Sequence, residues 1–363
     1  MTPTTAKTAA ATPLLLRALR LEQVPRRPVW LMRQAGRCLP EYRSMRERHS
    51  FEELSRTPEL AAEVTLLPLR RFAFDAAIVF ADIVSPLPAL GLQVRFDPGP
   101  VFEQPLRTAA AIAALPDPDR VPLEEIAPEV TAALSLVRSD LPRHIALLGF
   151  GGAPLTLAAY LVQGRGSSSG FPALRALARA DPRSFHLLMD KLSRLVARYL
   201  VAQHRAGADV VQVFDSWAGL FSRRDWQELV RPHLVQMLEE VGRAGVPRIL
   251  FLHAAPHLVD TFARLPCEAL GVDWRTDLEL LRVDYPELPL QGNLDPAILV
   301  AGPAATAAAT SNLLRQVPRR GHIVNLGHGV LPDSPLESID ALLEVVHAEA
   351  APARRAVPAT ISP

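Results

Sequence analysis

Two arginines close to a glycine give this chain its clearest chemical signal. Residues 28–37 read Pro-Val-Trp-Leu-Met-Arg-Gln-Ala-Gly-Arg, an apolar run of strand length followed by Arg33, Gly36 and Arg37. The glycine permits a tight turn, and the two guanidinium groups offer about ten N–H donors within one loop. A planar guanidinium matches a planar carboxylate, so we expect this loop to bind carboxylates. The alternative is a solvated turn that happens to contain two arginines. Other polar residues along the chain help to decide between the two.

Polar side chains follow other apolar segments in the same manner. Asp82 follows the apolar residues 78–81, although it could instead cap a helix or turn. His328 lies between two glycines, which clear space for a ligand or for a close backbone approach. Ser216 and Tyr160 are further candidates that could also be ordinary surface groups. Polar residues for which we expect structural roles are Asp273, Asn293 and, at the opposite end of its strand, His322.

The elements that must position these residues alternate between short apolar segments and helical segments. About eight such strand–helix units predict an α/β protein, a single-domain (β/α)8 barrel of the TIM type. An open doubly wound sheet is the alternative, but it usually has fewer strands and an early Gly-x-Gly-x-x-Gly turn. In a barrel the carboxyl ends of the strands meet, which would bring the candidates together. The predicted strands are residues 28–32, 77–81, 145–150, 210–214, 249–252, 269–272, 288–291 and 323–326.

The positions of these segments also predict the domain limits. We expect a flexible N-terminus over residues 1–12, a barrel catalytic domain over 13–349, and a flexible tail over 350–363. The long interval 82–144 between the second and third strands predicts an insertion over the top of the barrel. Within it, residues 92–94 and 101–102 predict a hairpin around Asp-Pro-Gly. Helical spacing is clearest over residues 51–72, 182–205, 224–242 and 336–349.

Composition excludes several classes of function. The 363 residues are 49% hydrophobic and 21% charged, typical of a globular protein with a large core. A net charge of +1 does not favour nucleic-acid binding, and no apolar run reaches membrane length. Two cysteines fit a reducing, cytoplasmic location without disulfides. Metal-binding and P-loop motifs are not found, which leaves acid/base and electrostatic chemistry by Asp, Arg, His, Tyr and Ser.

Seven segments together resemble the uroporphyrinogen decarboxylase family. They occur in order from about Leu14 to His347, and the first and last are the most specific. The first is the arginine loop, and the last reads His-Ile-Val-Asn-Leu-Gly-His-Gly. The matching segments are residues 28–37, 75–83, 149–160, 214–219, 271–274, 290–296 and 322–329.

The resemblance implies a homodimeric barrel without a cofactor. The reaction it implies is removal of carbon dioxide from the four acetate side chains of uroporphyrinogen III, which gives coproporphyrinogen III in haem biosynthesis. It implies catalytic roles for Asp82, Arg33 and His328, and apolar cleft walls at Phe51 and Phe214. Residues implied to bind substrate are Arg33, Gln34, Ala35, Gly36, Arg37, Phe51, Asp82, Tyr160, Phe214, Ser216 and His328.

The chain departs from the family pattern at a few positions. Cys38 replaces a common tyrosine, Arg165 replaces a glycine, and His253 stands where lysine is more usual. Related cobalamin-dependent methyltransferases bind zinc through a His-x-Cys at strand five and a later cysteine. Here Ala255 occupies the first cysteine position and only Cys267 remains, which leaves that site one ligand short. A tetrapyrrole-binding protein without activity is the other alternative, and it would be expected to lack Asp82 or the arginines.

Overall fold

The computed structural model describes residues 12–97 and 99–350, and seven of its strands form one parallel sheet. The seven strands pair in chain order, each with the next. They are almost wholly buried, as expected for strands that are covered by helices on one side and packed into a barrel core on the other. Two further strands pair as a separate hairpin. The strands are β1 (Ala76–Ile78), β2 (Arg95–Phe96), β3 (Pro100–Val101), β4 (Ala146–Gly152), β5 (Val210–Asp215), β6 (Arg248–Leu252), β7 (Ala269–Val272), β8 (Leu290–Gln291) and β9 (His322–Ile323).

The first apolar segment of the chain closes the sheet, although it forms only one isolated bridge. Val29 pairs in parallel with Val324, and the Val324 N–H donates to the Pro28 carbonyl at 2.9 Å. On the other side the Val29 carbonyl accepts from the Asp75 N–H at 2.9 Å, and the Val29 N–H donates to the Asp75 carboxylate at 2.8 Å. Arg26 pairs with that carboxylate at 2.6 Å. Eight parallel segments therefore form a ring, and the predicted (β/α)8 barrel is confirmed.

Helices link these strands and cover the outside of the sheet. The longest contacts β4 and β5, and its residues Tyr199, Leu200 and Gln203 lie against β4. The helices of the described residues are α1 (Leu14–Leu19), α2 (Pro40–Arg48), α3 (Phe51–Arg56), α4 (Pro58–Arg71), α5 (Ala109–Ala114), α6 (Pro128–Asp140), α7 (Pro154–Gln163), α8 (Pro172–Ala180), α9 (Pro182–Arg205), α10 (Arg223–Leu229), α11 (Arg231–Arg243), α12 (Val259–Phe262), α13 (Leu278–Asp284), α14 (Ala297–Val300), α15 (Pro303–Gln316) and α16 (Leu336–His347).

Prolines account for the main differences between predicted and observed helices. The predicted helix over 51–72 is two helices, because Thr57 is extended (φ −97°, ψ 111°) before Pro58 starts α4. The predicted helix over 224–242 is also two, divided at Val230, with Pro232 in the first turn of α11. The prediction over 182–205 matches α9, where the Asp181 carboxylate caps the Ser184 N–H at 3.1 Å. The prediction over 336–349 ends two residues late.

The interval between the second and third barrel strands contains the β2–β3 hairpin. The observed pairs are Arg95 with Val101 and Phe96 with Pro100, so its first strand begins later than the predicted residues 92–94. The turn at Asp97 and Gly99 closes with a backbone bond of 2.9 Å. A bond of 2.7 Å from the Phe102 N–H to the Gly164 carbonyl joins this segment to the end of α7. The segments predicted to be flexible, 1–12 and 350–363, lie almost entirely outside the described residues.

Candidate active site

The loop of Arg33 and Arg37 is held to the barrel through the side chain of Gln34. That amide accepts a hydrogen bond from the Leu31 N–H at 3.0 Å and donates to the Ala76 carbonyl at 2.9 Å. Gln34 is 2% exposed, so it anchors the loop to β1 and does not face the cleft. The Met32 N–H adds a bond of 3.0 Å to the Asn325 side chain. The loop is therefore fixed to both neighbouring strands, and a role for Gln34 in binding substrate would be indirect.

This loop leaves three backbone N–H groups without a hydrogen-bond partner among the described residues. A Cβ on Gly36 would lie 2.8 Å from the Arg33 carbonyl oxygen, so the turn has no space for a side chain there. Among the described residues, no hydrogen bond uses the N–H of Ala35, Gly36 or Arg37. Arg33 has φ +59°, and both arginines are exposed without an ion pair to another described residue. These N–H groups and guanidinium groups can bind an anion together.

Asp82 lies beyond the carboxyl end of β1, in a turn that fixes its carboxylate. Its Oδ1 accepts from the Val84 N–H at 3.0 Å, and its own N–H donates to the Ser85 hydroxyl at 3.3 Å. Burial raises the pKa of Asp82 to about 6, while the Val84 N–H and the charge of Arg33 oppose that rise. At pH 7 the group is mostly ionised, and small changes around it can alter its charge.

Tyr160 lies on α7 within the electrostatic reach of the same two residues. Burial raises the pKa of Tyr160, Asp82 raises it further, and Arg33 opposes both. The ring makes an edge contact with Phe171 at 5.6 Å. A cavity of about 290 Å³ lies between Tyr160 and the β2–β3 hairpin, and Arg165 also lines it. The structure thus brings Tyr160 together with Asp82 and Arg33, and it places the β2–β3 hairpin beside Tyr160.

Ser216 and Phe214 lie at the carboxyl end of β5. The Ser216 N–H donates to the Thr156 hydroxyl at 3.0 Å, and that hydroxyl donates to the buried Asp215 carboxylate at 3.3 Å. Burial raises the pKa of Asp215 to about 7. The Phe214 ring contacts Phe150 and Phe251, each at 5.7 Å, and so forms part of an apolar surface beside Ser216.

Phe51 lies in a second aromatic group. Its ring is 5.6 Å from Phe80 and 4.9 Å from Phe96 of the hairpin, and Phe80 also contacts Tyr42. Because Phe80 precedes Asp82 by two residues, this group lies on the Asp82 side of the barrel. Phe51 and Phe214 therefore belong to two separate apolar surfaces.

His328 lies in a close-packed position between the first and the last loops of the barrel. A Cβ on Gly329 would overlap the side chain of Arg33, and a Cβ on Gly327 would lie 2.6 Å from the Trp274 nitrogen. The pKa of His328 is lowered to about 4 by burial, with further lowering by Arg33 and His253. The imidazole is therefore neutral at pH 7 in this structure.

Three neighbours of His328 were absent from the predicted site, namely His253, Trp274 and Arg275. The His253 ring is 4.7 Å from His328 and 6.3 Å from Trp274, whose ring has the Arg275 guanidinium 4.2 Å above it. Each of the three follows the end of a predicted strand, which was the available signal. Asp273 and Asn293 have the structural roles that we expected. Asp273 accepts from the Ala254 N–H and the Arg275 guanidinium, each at 2.7 Å, and Asn293 donates to its carbonyl at 2.9 Å.

A larger cavity, of about 760 Å³, lies elsewhere, on the outer helices α10 to α13. It contains none of the predicted site residues and is lined instead by groups such as Arg223, Arg264 and Tyr285. Size therefore does not identify the reactive end of this barrel. The convergence of Arg33, Asp82 and His328 does so, because carboxyl ends of barrel strands are where catalytic groups lie.

Comparison with known proteins identifies the family of this chain. A family model described as uroporphyrinogen decarboxylase (URO-D) matches residues 10–349. The chain belongs to the uroporphyrinogen decarboxylase family. A relative of that name from Chloroflexus aurantiacus is 44% identical over 346 residues, which cover 93% of this chain and 96% of the relative. Another, from Geobacter metallireducens, is 42% identical over 326 residues, 89% of this chain and 95% of the relative.

A solved structure shares the fold at much lower identity. The methyltransferase from Methanosarcina mazei superposes with a TM-score of 0.74 at 18% identity, over 94% of this chain and all of that one. This likeness shows the barrel fold alone. Within residues 12–97 and 99–350, no three or more His, Cys, Asp or Glu side chains are grouped as metal ligands would be. No helix among those residues is long and apolar enough to cross a membrane.

Proposed function

We propose that this chain removes carbon dioxide from the four acetate side chains of uroporphyrinogen III, without a cofactor, and releases coproporphyrinogen III. Membership of the uroporphyrinogen decarboxylase family supports the substrate and the reaction. The observation that carries the proposal is one carboxylate, Asp82, held in a partly buried turn within the field of Arg33 at the carboxyl end of the barrel. The guanidinium can bind carboxylates at the rim of the substrate, and the carboxylate can stabilise the positive charge that develops on its pyrrole rings.

The chemistry explains why a carboxylate is needed. Loss of carbon dioxide from an acetate arm leaves an electron pair, and the pyrrole can accept it once a ring carbon is protonated. Protonation of that carbon places positive charge on the pyrrole nitrogen, where a nearby carboxylate stabilises it. The electron pair left by carbon dioxide neutralises this charge and gives an exocyclic methylene group. The methylene becomes a methyl group when it takes a proton from water and the ring carbon gives its added proton back. Asp82 is suited to this role because its backbone contacts fix its position before substrate arrives. Burial strengthens the interaction, and Arg33 helps the carboxylate to stay ionised.

The remaining groups suit an octacarboxylate. We propose that Arg33, Arg37 and the N–H groups of Ala35, Gly36 and Arg37 bind the carboxylates that are not reacting. Tyr160, Ser216 and His328 would bind others, and Phe51 and Phe214 would contact the tetrapyrrole edges. Holding the peripheral carboxylates fixes which arm lies over Asp82.

The candidate proton donors for the ring carbon are Arg33, a water that it orients, and His328. Burial lowers the pKa of His328 to about 4, so His328 is neutral in the free protein and could donate only after it takes up a proton when substrate binds. Arg33 lies near both Asp82 and His328, as its effect on both pKa values indicates.

We further propose that residues 13–349 act as one catalytic domain, in a cytoplasmic homodimer. Both cysteines are free, with Cys38 buried, as expected for a reducing compartment. Sedimentation at several protein concentrations tests the dimer.

The function is tested by incubating the purified chain anaerobically with freshly reduced uroporphyrinogen III. Products are oxidised and separated by carboxylate number. The proposal requires the hepta-, hexa-, penta- and tetracarboxylates to form in turn, in amounts proportional to enzyme. Binding of uroporphyrinogen without loss of carbon dioxide would refute it and favour a tetrapyrrole-binding protein.

A further inference from the structure

The carboxyl ends of β6 and of the last barrel strand bring two imidazoles into contact. The rings of His253 and His328 have centroids 4.7 Å apart and planes inclined by 60°, so one meets the other edge-on. The His253 ring also stacks on Phe251 at 6.3 Å, with the planes 23° apart. Both side chains keep part of their surface open, and that of His253 is 19% exposed. The two imidazoles therefore form one wall of the cleft.

Fixed charges surround this wall. Arg33 faces His328 from the first loop, while Asp273 and Arg275 face both histidines from the loop after β7. The Ser216 backbone faces His253 from the loop after β5. Asp273 is committed elsewhere, because it already accepts from the Ala254 N–H and from Arg275. Its distance of 3.9 Å from the His253 Nε2 is too long for a hydrogen bond.

The pair is therefore uncharged when the cleft contains no substrate. Burial lowers the pKa of each histidine, and Arg33, His253 and Arg275 lower that of His328 further. Asp273 opposes the lowering at both rings and the Ser216 backbone opposes it at His253, but the pKa of each ring stays below its usual value. An incoming carboxylate would reverse the balance, since an adjacent anion favours the imidazolium form. The two rings are too close for both to be charged easily, so the pair would accept one proton.

We propose that His253 and His328 together form a subsite for one carboxylate arm of the substrate, and that the pair takes one proton from solvent as that arm binds. The proposal rests on the proposed function and adds His253 to its binding residues. The proton comes from bulk water and stays on the imidazole pair, so the subsite gains one positive charge as it receives one negative charge. Arg33 and Arg37, in contrast, hold permanent charges.

The test counts protons taken up on binding. The background is Asp82→Asn, because Asp82 itself could change its proton occupancy when substrate binds. Uroporphyrinogen III is titrated anaerobically by calorimetry at pH 7 in phosphate and in Tris buffer. The apparent enthalpies differ by the number of protons exchanged multiplied by the difference in buffer ionisation enthalpies. We expect uptake of about one proton per bound tetrapyrrole.

Two substitutions at His253 separate charge from shape. In the same background, His253→Lys supplies a permanent charge, so it should keep the affinity while the proton uptake disappears. His253→Gln should weaken binding about tenfold and reduce the uptake, as expected for loss of a charged hydrogen bond. His257→Gln is the matched control, because His257 is an exposed histidine of the same loop whose Nε2 contacts the Phe221 carbonyl. It should change neither quantity.

Equal proton uptake in Asp82→Asn with and without His253→Lys would overturn the proposal. So would weaker binding in His253→Gln with unchanged uptake, which would mean that the ring serves packing alone. If the Asp82→Asn background binds too weakly for calorimetry, the pH dependence of KM is compared between the otherwise native chain and its His253→Lys variant. The same pH dependence of KM in both chains would also overturn the proposal. Turnover by the native chain is measured separately. If product forms but no proton is taken up on binding, this inference is wrong and the proposed function still holds.

Discussion

Replacement of Asp82 by asparagine should abolish most of the activity while leaving the fold intact. Asparagine keeps the size of the side chain and can still accept the hydrogen bond from the Val84 N–H that now measures 3.0 Å. What it removes is the negative charge that would stabilise the cationic pyrrole. Removal of one such preorganised group costs about 3–5 kcal/mol of transition-state stabilisation, or two to four orders of magnitude in kcat/KM.

The same substitution should stabilise the protein at neutral pH. The pKa of Asp82 is raised from 3.8 to about 6 in the folded state, so above pH 6 the folded chain must hold a partly buried charge that the unfolded chain holds in water. Below pH 3.8 both states are protonated and the group contributes nothing. The raised pKa therefore lowers the free energy of unfolding as pH rises. Its full value would be about 3 kcal/mol, and partial exposure reduces it to about 1–2 kcal/mol.

Two measurements test the expected gain in stability and loss of activity. Denaturant unfolding at pH 8 should show Asp82→Asn to be more stable by that amount, and the difference should vanish at pH 4. Anaerobic turnover should show the native kcat/KM falling as pH decreases through about 6, because the carboxylate becomes protonated. A native rate that is unchanged between pH 7 and pH 5, or near-native turnover by the variant, would refute the assigned role of Asp82.

Further predictions concern binding, stability and metals. Arg37→Ala should raise KM with little change in the single-turnover rate, at a cost of about 1.5–3 kcal/mol in binding. Arg33→Ala should weaken binding and also lower the single-turnover rate. The reverse pattern in steady-state and single-turnover kinetics would exchange the roles of the two arginines. Asp273→Ala should lower the free energy of unfolding by about 2–4 kcal/mol, measured by denaturant titration, because it leaves the Ala254 N–H and Arg275 without their acceptor. Turnover should survive exhaustive chelation, since Ala255 replaces the cysteine of a methyltransferase-type zinc site; activity that is lost and then restored by zinc would contradict this.

Sequence periodicity was sufficient to predict eight strands and a closed barrel, but not how the first strand is held in it. Strands such as β5 and β7 are short runs of buried apolar residues, and these can be recognised without knowledge of their neighbours. The first strand is different, because only Val29 forms a bridge and its N–H donates to the Asp75 side chain. That arrangement depends on a residue 46 positions away. The helix divisions before Pro58 and Pro232 could have been predicted from these prolines, because the residue before a proline disfavours the helical conformation.

The candidate site was partly predictable for a similar reason. Arg33, Asp82 and His328 each end or follow a strand, so barrel topology alone brings them to one edge. Gln34 shows the limit of that reasoning, because whether a loop side chain faces the cleft or the core depends on partners such as the Leu31 N–H and Ala76 carbonyl. The pKa of Asp82 depends on burial by surrounding elements, which one-dimensional patterns do not contain.

The distribution of charge in the site follows from the two opposite demands of the proposed reaction. An octacarboxylate requires positive charge around its rim, yet a cationic pyrrole requires negative charge at its centre. If both histidines were permanently charged beside Arg33, the cationic pyrrole would meet a more positive environment and would be stabilised less. Neutral histidines in the free protein avoid this, because their charge appears only with the carboxylate that cancels it. Arg33 then remains the one fixed charge shared by Asp82, Tyr160 and His328, and its position is what must be rigid.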